Sequence, residues 1–567
     1  MAESVLSLLS TRAATAVRAA FDDAVDVPDP LVLPSRDARH GDYTCTAAMA
    51  LARTLREPPL ALAGRLAAAL DVADVCEPPE VSPPGFVNLR LRPDWLADHL
   101  TKDLVERTPH AIKVVLDYSA PNVAKHMHVG HLRSTTIGDC LGNVYELLGH
   151  RVERLNHVGD WGTQFGMLVA HLDDAGSTGA DDDLELLYQQ ANTRFKDDEG
   201  FRVRARSRVV DLQSGEPSAR ATWSALVERS RREFDSVYEL LGVHRLVERG
   251  ESFYEPMLPE VVAELEADGV VVVDDGAKCV FVPGFTNKDG DPLPLIVQKA
   301  DGGYNYATTD LAALRHRVRQ EGADRVLYVV DVGQSQHLQM VFAVARLAGW
   351  VPDGVVLRHV PFGLVLGEGG KRMRTRSGAS VRLADLLREA VERAGLFISA
   401  RAEEREEAPP EDLAEIARVI GIGAVKYYEL SQHRTSNYEF SFDRMLSLKG
   451  NTAPYLQYAY ARIRSILRDG GEGKGPLVLA EPQEIELAKR LVALPDVLDR
   501  VVSDDAPNHL CTHLFDVSQA FNAFYEHCPV LRSEEPVRAS RLYLCALTAE
   551  ALRSGLGLLG IEVVERI

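Results

Sequence analysis

Two histidines, His128 and His131, flank a Val–Gly pair in the segment 117–132 (DYSAPNVAKHMHVGHL). The segment follows a short β-branched run typical of a buried strand, and apolar side chains at helical spacing come after it. At such a strand-to-helix turn, backbone N–H groups and the positive end of the helix face an anion. Imidazoles there can donate hydrogen bonds to phosphate oxygens as charge develops, and Gly130 lets a phosphate or an adenine approach the backbone. The segment therefore predicts chemistry on the phosphates of a nucleotide.

The surrounding pattern predicts an α/β domain with a doubly wound, Rossmann-like parallel sheet. Residues 131–149 have helical spacing and lie between two apolar runs, so strand, turn, helix and strand follow one another. The loop then lies at the carboxyl end of a strand, where such sheets bind ligands. Strand-like runs occur at residues 112–118, 152–158, 293–299 and 325–331. We expect the charged, mostly helical stretch at about 170–284 to be an insertion in this one sheet.

Three domains are predicted for the 567 residues, since a domain usually takes about 100–200 residues. Residues 1–110 combine an amphipathic start with alternation at 85–91 (GFVNLRL), which indicates a small α+β N-terminal domain. Residues 111–407 form the Rossmann-like catalytic domain. From residue 408 to residue 567 the apolar periodicity is helical almost throughout, which predicts an all-α C-terminal domain.

The composition is that of a globular protein, because 46% of the residues are hydrophobic and 26% are charged. No apolar run approaches the roughly 18 residues of a membrane-spanning helix. Glu3, Arg12 and Arg18 interrupt the apolar positions that a cleaved signal would need. Seven cysteines without a C-x-x-C pair support neither a disulfide framework nor a thiolate zinc site. We therefore expect a reduced, intracellular enzyme with no membrane partner and no metal-ligating residues.

The net charge of −20 argues only weakly against RNA, because a partner responds to local charge and not to the total. Residues 431–470 carry six lysines and arginines against three acidic residues. Tyr455, Tyr458 and Tyr460 lie in this locally basic stretch, where tyrosines can stack on unpaired bases. Tyrosines at helical spacing also pack in cores, and we expect at least one of these three to do so.

The pattern SAPNVAKHMHVGHLRST, residues 119–135, resembles the first signature of the class I aminoacyl-tRNA synthetases, and specifically of the arginyl-tRNA synthetase family. Further segments resemble that family in the same order along the chain: 156–166 (NHVGDWGTQFG), 301–311 (DGGYNYATTDL), 328–337 (YVVDVGQSQH) and 451–466 (NTAPYLQYAYARIRSI). The resemblance covers essentially the whole chain. It implies a monomeric ligase whose helical C-terminal domain binds the anticodon and whose N-terminal domain contacts the elbow of the tRNA.

The reaction that the resemblance implies has two steps. ATP and L-arginine first give arginyl-adenylate and pyrophosphate, and the arginyl group then passes to the 3′-terminal ribose of arginine tRNA. Mg²⁺ would accompany the ATP, held mainly by phosphates and water, with no tightly bound metal or organic cofactor. The resemblance also suggests that tRNA must bind before the adenylate forms.

The resemblance assigns residues to each substrate. Those for L-arginine are Ser119, Ala120, Pro121, Asn122, His131, Tyr306, Asp310 and Gln334. Those for ATP are His128, Gly130, His131, Lys371 and Met373. The catalytic set is Lys125, His128, His131, Lys371 and Arg374. A carboxylate such as Asp310 suits a guanidinium, which it can meet through two parallel hydrogen bonds. From the residues alone, Asp310 could instead cap a helix and Tyr306 could be a half-buried structural tyrosine.

One segment departs from the family. Class I enzymes usually carry a K-M-S-K-S loop, whereas residues 370–378 read GKRMRTRSG, with Thr375 at the second lysine position when the loop is aligned on Met373. In family members with this loss, a lysine just before the H-x-G-H segment is thought to compensate, and Lys125 has that place. Arg374 can still add charge, but a guanidinium differs from an ammonium in geometry. The glycines before this loop favour a mobile lid over a basic surface run.

Two other functions fit parts of the sequence. One is a non-catalytic RNA-binding paralogue on the same fold, which the presence of both histidines and of Asp310 disfavours. The other is a nucleotidyltransferase that activates a small acid without tRNA. Such an enzyme has no need of a long helical C-terminal domain with a basic start, so the ligase is the leading hypothesis.

Overall fold

The computed structural model describes the chain in stretches, namely residues 4–21, 32–35, 37–102, 105, 107–176, 183–371, 373, 381–471 and 473–566. The chain divides into two compact units. The first contains Met1–Thr108, Leu448–Gly557 and Glu562–Ile567, and the second contains Pro109–Ser447 and Leu558–Ile561. None of the described helices is long and apolar enough to cross a membrane.

The N-terminal part of the first unit is an α+β fold, as predicted. Its antiparallel sheet has the strand order Val32–Pro34, Tyr43–Cys45, Phe86–Leu89 and Glu80–Ser82. Its helices are Val5–Phe21, Ala47–Leu55, Pro59–Ala69 and Pro93–His99, with a 3₁₀ turn at Ala38–His40. The first helix buries Val5, Leu9 and Ala13, which lie four residues apart on one face. The amphipathic start read from the sequence is therefore confirmed.

The C-terminal part of the first unit is all-helical. Its helices are Ala453–Gly470, Pro482–Val492, Leu494–Asp504, Asn508–His527 and Val537–Leu558. Proline stands at the start of several of them, where a missing N–H costs nothing. The helical periodicity predicted for this region is confirmed.

The second unit is built on a five-stranded parallel sheet. The strand order is Val356–His359, Arg325–Tyr328, Lys113–Asp117, Arg151–Asn156 and Val247–Glu248. The first of these strands in the chain, Lys113–Asp117, lies in the middle, and the order reverses there. This is the switch point at which doubly wound sheets open a crevice. The predicted fold class is confirmed.

Helices surround this sheet. Those that pack on its strands are Val129–Leu147, Tyr306–Arg319 and Ser335–Leu347, whereas Thr163–Ala175 packs on the inserted helices. Inserted helices follow the second strand of the sheet, at Leu184–Asp197, Glu199–Ser214, Pro217–Leu241, Glu251–Tyr254 and Leu258–Ala267. Further helices are Leu383–Glu404, Leu413–Ser431 and Phe442–Met445, and 3₁₀ turns lie at Glu255–Met257, Val332–Gln334 and Glu368–Gly370. A short parallel pair joins Val365–Leu366 to Tyr438–Glu439.

One strand assignment was wrong. The run predicted at 293–299 is a strand, Pro292–Gln298, but it pairs antiparallel with Ala277–Thr286 in a separate three-stranded sheet whose third strand is Val272–Asp274. Conversely, Val247–Glu248 lies within the predicted insertion and pairs with the main sheet. Apolar alternation marks a strand but carries no information about its pairing partner, so the sequence could not tell the two sheets apart.

The division into compact units also differs from the three predicted domains. Residues 408–447, grouped in the prediction with the C-terminal helices, belong to the second unit. The reason is close helix packing between Leu413–Ser431 and Leu383–Glu404. A Cβ on Gly421 would lie only 2.7 Å from the Ala390 carbonyl oxygen, so the two backbones approach where glycine permits it.

Candidate active site

A cavity of about 590 Å³ lies within the second unit, at the carboxyl ends of its central strands. Nine of the residues predicted for substrate or catalysis line it, namely Ser119, Ala120, Asn122, His128, Gly130, His131, Asp310, Gln334 and Met373. Other lining residues had no predicted role, among them Asp117, Ser134, His157, Tyr328, Asp331, His337 and Phe362. Segments far apart in the sequence thus meet at the crevice that the switch point predicts.

The loop that leaves the central strand is strained and firmly held. Ser119, Ala120 and Ala124 have positive φ values of 73°, 48° and 63°, which cost side-chain-bearing residues energy. Hydrogen bonds compensate. Ser119 N–H donates to Ser134 Oγ at 2.8 Å, and Ala120 N–H donates to Asn156 Oδ1 at 3.0 Å. The loop is therefore a rigid platform.

Tyr238 ties this loop to an inserted helix. Its hydroxyl lies 2.8 Å from Ser119 Oγ and accepts from Asn156 Nδ2 at 3.0 Å. Thr135 Oγ1 donates to the same Ser119 oxygen at 2.9 Å. Because Ser119 is buried and its polar atoms are used in this way, its contribution to the cavity is to hold the loop.

His128 and His131 form a reciprocal cap on helix Val129–Leu147. Gly130 N–H donates to His128 Nδ1, and His128 N–H donates to His131 Nδ1, each at 3.0 Å. Because Nδ1 accepts in both rings, the proton of each neutral imidazole is on Nε2. Burial and the nearby His128 ring lower the pKa of His131 to about 3. His131 is therefore neutral near pH 7. We call residues 128–131 the histidine cap.

Gly130 is required by the cap itself. A Cβ at this position would lie 2.8 Å from His128 Cε1 and 3.0 Å from His128 Nδ1. Any side chain would push the imidazole out of its capping position. The sequence predicts that a nucleotide approaches the backbone at Gly130, and the structure places the His128 ring against the same residue.

Asp310 lies among histidines. Its Oδ2 accepts from His337 Nε2 at 2.6 Å, and its Oδ1 is 4.0 Å from His157 Nε2. The N-cap of helix Tyr306–Arg319 is Asn305, whose side chain accepts from two backbone N–H groups. Asp310 is therefore not a helix cap, and its carboxylate lines the cavity.

A buried ion pair fixes the helix that carries Asp310. Arg317 lies two turns after Asp310, and its Nη1 is 2.8 Å from Asp117 Oδ2 at the end of the central strand. Both side chains are almost fully buried, so separating them would leave an uncompensated charge. Arg317 Nη2 also lies 3.4 Å from His157 Nδ1, so that ring carries its proton on Nε2, the nitrogen nearer Asp310.

A second carboxyl group, Glu251, lies near Asp310. Burial, followed by the negative charges of Asp310 and Asp160, raises the pKa of Glu251 to about 8. Asp160 holds the segment in place, since its carboxylate accepts from Ser252 N–H at 2.8 Å and from Ser252 Oγ. We call His157, Glu251, Asp310 and His337 together the acidic pocket.

Sequence reasoning missed three members of the acidic pocket. His157 and His337 lie inside the quoted segments 156–166 and 328–337, so a histidine near a strand end was an available signal. Glu251 begins a four-residue helix within the inserted region, and we find no pattern in the sequence that marks it.

Some predicted residues lie outside the main cavity. Tyr306 is 65% exposed and contacts His337 edge-to-face, with 4.8 Å between ring centroids. Pro121 is buried in the loop, and its carbonyl accepts from Gly159 N–H. Lys125 lies in an adjacent cavity of about 260 Å³ that shares His128 with the main one.

The predicted lid is described only in part. Lys371 lines a separate cavity of about 520 Å³ beside Met373, which also borders the main cavity. Gly367 N–H donates to the Lys371 carbonyl at 2.7 Å, so the glycines make a tight turn. Arg374 and Thr375 lie outside the described residues.

The tyrosines of the C-terminal helices behave differently from one another. Tyr460 is buried and its hydroxyl donates to Glu565 Oε1 at 3.0 Å, so the expectation of at least one core tyrosine is confirmed. Tyr455 accepts from Asn522 Nδ2 at 2.7 Å. Tyr458 lies under the Arg462 guanidinium, 5.1 Å from ring centroid to Cζ.

A parallel sheet whose switch point carries an H-x-G-H cap is the architecture of the class I aminoacyl-tRNA synthetases. Residues 96–442 match the family model of tRNA synthetases class I (R), catalytic domain. Residues 456–567 match the DALR anticodon binding domain, and residues 8–91 match the arginyl tRNA synthetase N terminal domain. The chain belongs to the arginyl-tRNA synthetase family.

Relatives agree over the full length. The arginine–tRNA ligase of Synechococcus elongatus is 52% identical over 582 residues, covering 99% of both chains. That of a Synechocystis species is 49% identical over 588 residues, covering 100% of both. The crystal structure of arginyl-tRNA synthetase from Plasmodium falciparum is 30% identical with a TM-score of 0.87, covering 100% of this chain and 99% of that one.

Proposed function

We propose that the chain ligates L-arginine to arginine tRNA at the expense of ATP, with both small substrates in the main cavity. The observation that carries the proposal is the placement of Asp310. This carboxylate lies one turn inside a helix, lines the same cavity as the histidine cap, and is flanked by groups that orient it. Asp310 at one end of the cavity suits the cationic side chain of arginine, and the helix N-terminus that carries the histidine cap suits the phosphates of ATP.

In the first step a carboxylate oxygen of arginine attacks the α-phosphorus of ATP. A C–O–P bond forms, the bond to the bridging oxygen breaks, and pyrophosphate leaves. No protein nucleophile is required, so the rate comes from alignment and from donors aimed at the developing charge. His128 and His131 carry the proton on Nε2 and donate from it to phosphate oxygens, while Lys125, Lys371 and Arg374 add positive charge.

In the second step a hydroxyl of the 3′-terminal ribose attacks the carbonyl carbon of the adenylate, and AMP leaves. Ala120 and Asn122, on the strained loop, would border the α-amino and carboxylate end of arginine, beside Ser119 and Pro121. Gln334 would complete the pocket. Gly130 and Met373 would border ATP.

Recognition of the guanidinium would rest on the acidic pocket. Asp310 still has lone pairs for a guanidinium beside its bond to His337, and Glu251 supplies a second negative charge once it ionises, at a pH above its pKa of about 8. A neutral analogue such as citrulline would leave these charges unpaired and is rejected for that reason. Tyr306 would close the outer end.

Mg²⁺ enters with ATP, bound mainly by phosphates and water. The enzyme acts as a monomer in the cytoplasm. The domains proposed are residues 1–110, 111–407 with an insertion at about 170–284, and 408–567, and the first part of the last domain, residues 408–447, packs in the compact unit of the catalytic domain.

Arginine-dependent exchange of pyrophosphate into ATP tests the function, measured with and without arginine tRNA. We expect exchange, and exchange only with tRNA would support a tRNA-gated active site. Exchange without tRNA would keep the ligase and remove the gating. Bound tRNA with no exchange in either condition would favour the RNA-binding paralogue.

A further inference from the structure

His126 is enclosed by three carboxylates. Its Nδ1 lies 2.8 Å from Glu233 Oε2, and its Nε2 lies 3.7 Å from both Asp183 Oδ1 and Glu185 Oε2. The side chain is only 13% exposed. An imidazole placed in this way among acidic groups is more stable with both nitrogens protonated.

The carboxylates come from two inserted helices. Glu233 belongs to helix Pro217–Leu241, while Asp183 is the N-cap of helix Leu184–Asp197 and Glu185 is in its first turn. The hydrogen bond to Glu233 raises the pKa of His126, more than burial lowers it. The His126 imidazolium therefore joins the loop that leaves the central strand to both inserted helices.

Positive groups also face this histidine. Arg382, just before helix Leu383–Glu404, forms its own ion pair with Asp183 at 2.7 Å and disfavours the His126 charge. On its own loop, His126 lies between Lys125 and His128. With one of the three carboxylates paired to Arg382, the other two still face His126.

Helix Leu184–Asp197, which provides two of the three carboxylates, also contacts Lys125. The Lys125 Nζ is 4.8 Å from the centroid of the Tyr188 ring, and Tyr188 lies one helical turn after Glu185. Successive loop residues, Lys125 and His126, thus attach to successive turns of one helix. If His126 loses its contacts with this helix, the position of Lys125 changes as well.

We propose that doubly protonated His126 is a positioning residue for adenylate formation, because it holds Lys125 and His128 in place by clamping the loop onto the inserted helices. This inference rests on the proposed function. Neutral His126 keeps one hydrogen bond, to Glu233, but leaves Asp183 and Glu185 without the imidazolium charge. The rate at saturating substrates then falls as the pH rises through the pKa of His126, and this titration by itself leaves the KM values for ATP and arginine little changed.

The experiment measures single-turnover adenylate formation by the full chain with arginine tRNA, from about pH 6 to 9, at saturating ATP and arginine. His126→Gln keeps hydrogen bonding but not the charge, and we expect a loss of about 10- to 100-fold and no alkaline limb from this group. Glu233→Gln should move the alkaline limb to lower pH. His126→Lys restores a permanent cation, so its rate should exceed that of His126→Gln and be flatter with pH.

A matched control is His509→Gln in the first unit, where His509 Nε2 lies 2.8 Å from Asp504 Oδ2. This variant should keep the wild-type rate and pH profile. Titration of ¹³Cε1-labelled histidines, with the His126 signal assigned from the variant, should give a pKa above the usual value that decreases in Glu233→Gln.

Two results would overturn the proposal: a wild-type rate for His126→Gln, or superimposable pH profiles for Glu233→Gln and wild type. If His126→Gln does not fold, the Glu233→Gln profile and titration decide. Absence of exchange by the wild-type enzyme would instead refute the proposed function, which keeps the two failures apart.

Discussion

The histidine cap and three members of the acidic pocket, His157, Asp310 and His337, line one cavity, but the cap and the pocket are built in opposite ways. The cap is local: two imidazoles and a glycine within four residues hold one another through backbone N–H groups. The acidic pocket is assembled from four distant segments, and its members hold one another by charge and burial. We therefore expect substitutions in the cap to act mainly on the rate, and substitutions in the pocket to act mainly on the affinity for arginine.

The largest effect is expected for Asp310→Asn. Losing one partner of a desolvated charge pair costs about 2–5 kcal/mol, so kcat/KM for arginine should fall roughly 10³-fold. The KM for ATP should change less than about two-fold, because the cap is untouched. Steady-state aminoacylation measures both. Asp301→Asn, in an exposed turn where the carboxylate accepts from Gly303 N–H, is the control. A near-normal arginine KM would remove Asp310 from the pocket.

Gly130→Ala tests the cap. The added Cβ would collide with the His128 ring, and a displacement of about 1 Å in a catalytic group can cost roughly 10²-fold in rate. The expected result is a lower kcat with arginine KM nearly unchanged. Gly64→Ala is the control, because a Cβ there meets nothing within 4 Å. If arginine KM rises as much as kcat falls, the cap and the pocket are not separable.

The contrast also explains what the sequence could predict. The cap needs only a three-residue spacing after a strand, so His128, Gly130 and His131 were found together. Of the acidic pocket, only Asp310 was named, and that through family resemblance. Glu251 could not be found, since its role depends on Asp160 and on the helix that carries Asp310, and both are far away in the chain.

The fold shows the same limit. Periodicity located the strands Lys113–Asp117, Arg151–Asn156 and Arg325–Tyr328 correctly. It assigned Pro292–Gln298 to the wrong sheet, because strand pairing depends on long-range contacts that leave no trace in a local pattern. Local order was therefore predictable and long-range pairing was not.

Glu251→Gln tests the acidic pocket through the pH dependence of arginine binding. In the free enzyme the pKa of Glu251 is raised to about 8, so the group is neutral below that pH and gains its negative charge above it. The guanidinium of arginine stays cationic throughout, so the affinity for arginine, measured as 1/KM, should rise with pH by about ten-fold as Glu251 ionises, separately from the fall in kcat expected from His126. The Gln variant should lack this rise and keep the low-pH value. A rise that persists in the variant would assign it to another group.

The same carboxyl should affect stability with the opposite sign. Its pKa is higher in the folded than in the unfolded chain, so the protonated form favours folding and stability is lost as pH rises from about 4.5 towards 8. Without arginine, Glu251→Gln should therefore raise Tm at pH 9 relative to wild type, although it weakens arginine binding at that pH. A gain in stability together with a loss in affinity is expected when substrate binding requires a buried group in the charged form that destabilises the fold.

The smallest effect on rate is expected for Tyr238→Phe. The lost hydroxyl contacts Ser119 Oγ and Asn156 Nδ2, and removing such a buried bond costs about 1–2 kcal/mol of stability. The loop is still held through its backbone, so adenylate formation should slow only about three-fold. Tyr43→Phe in the first unit, which loses a 3.2 Å bond to Asp496, should match the stability loss without changing the rate. A 10²-fold slower Tyr238→Phe would mean that the strained loop depends on one side chain from the insertion, and the cap would then be no more local than the pocket.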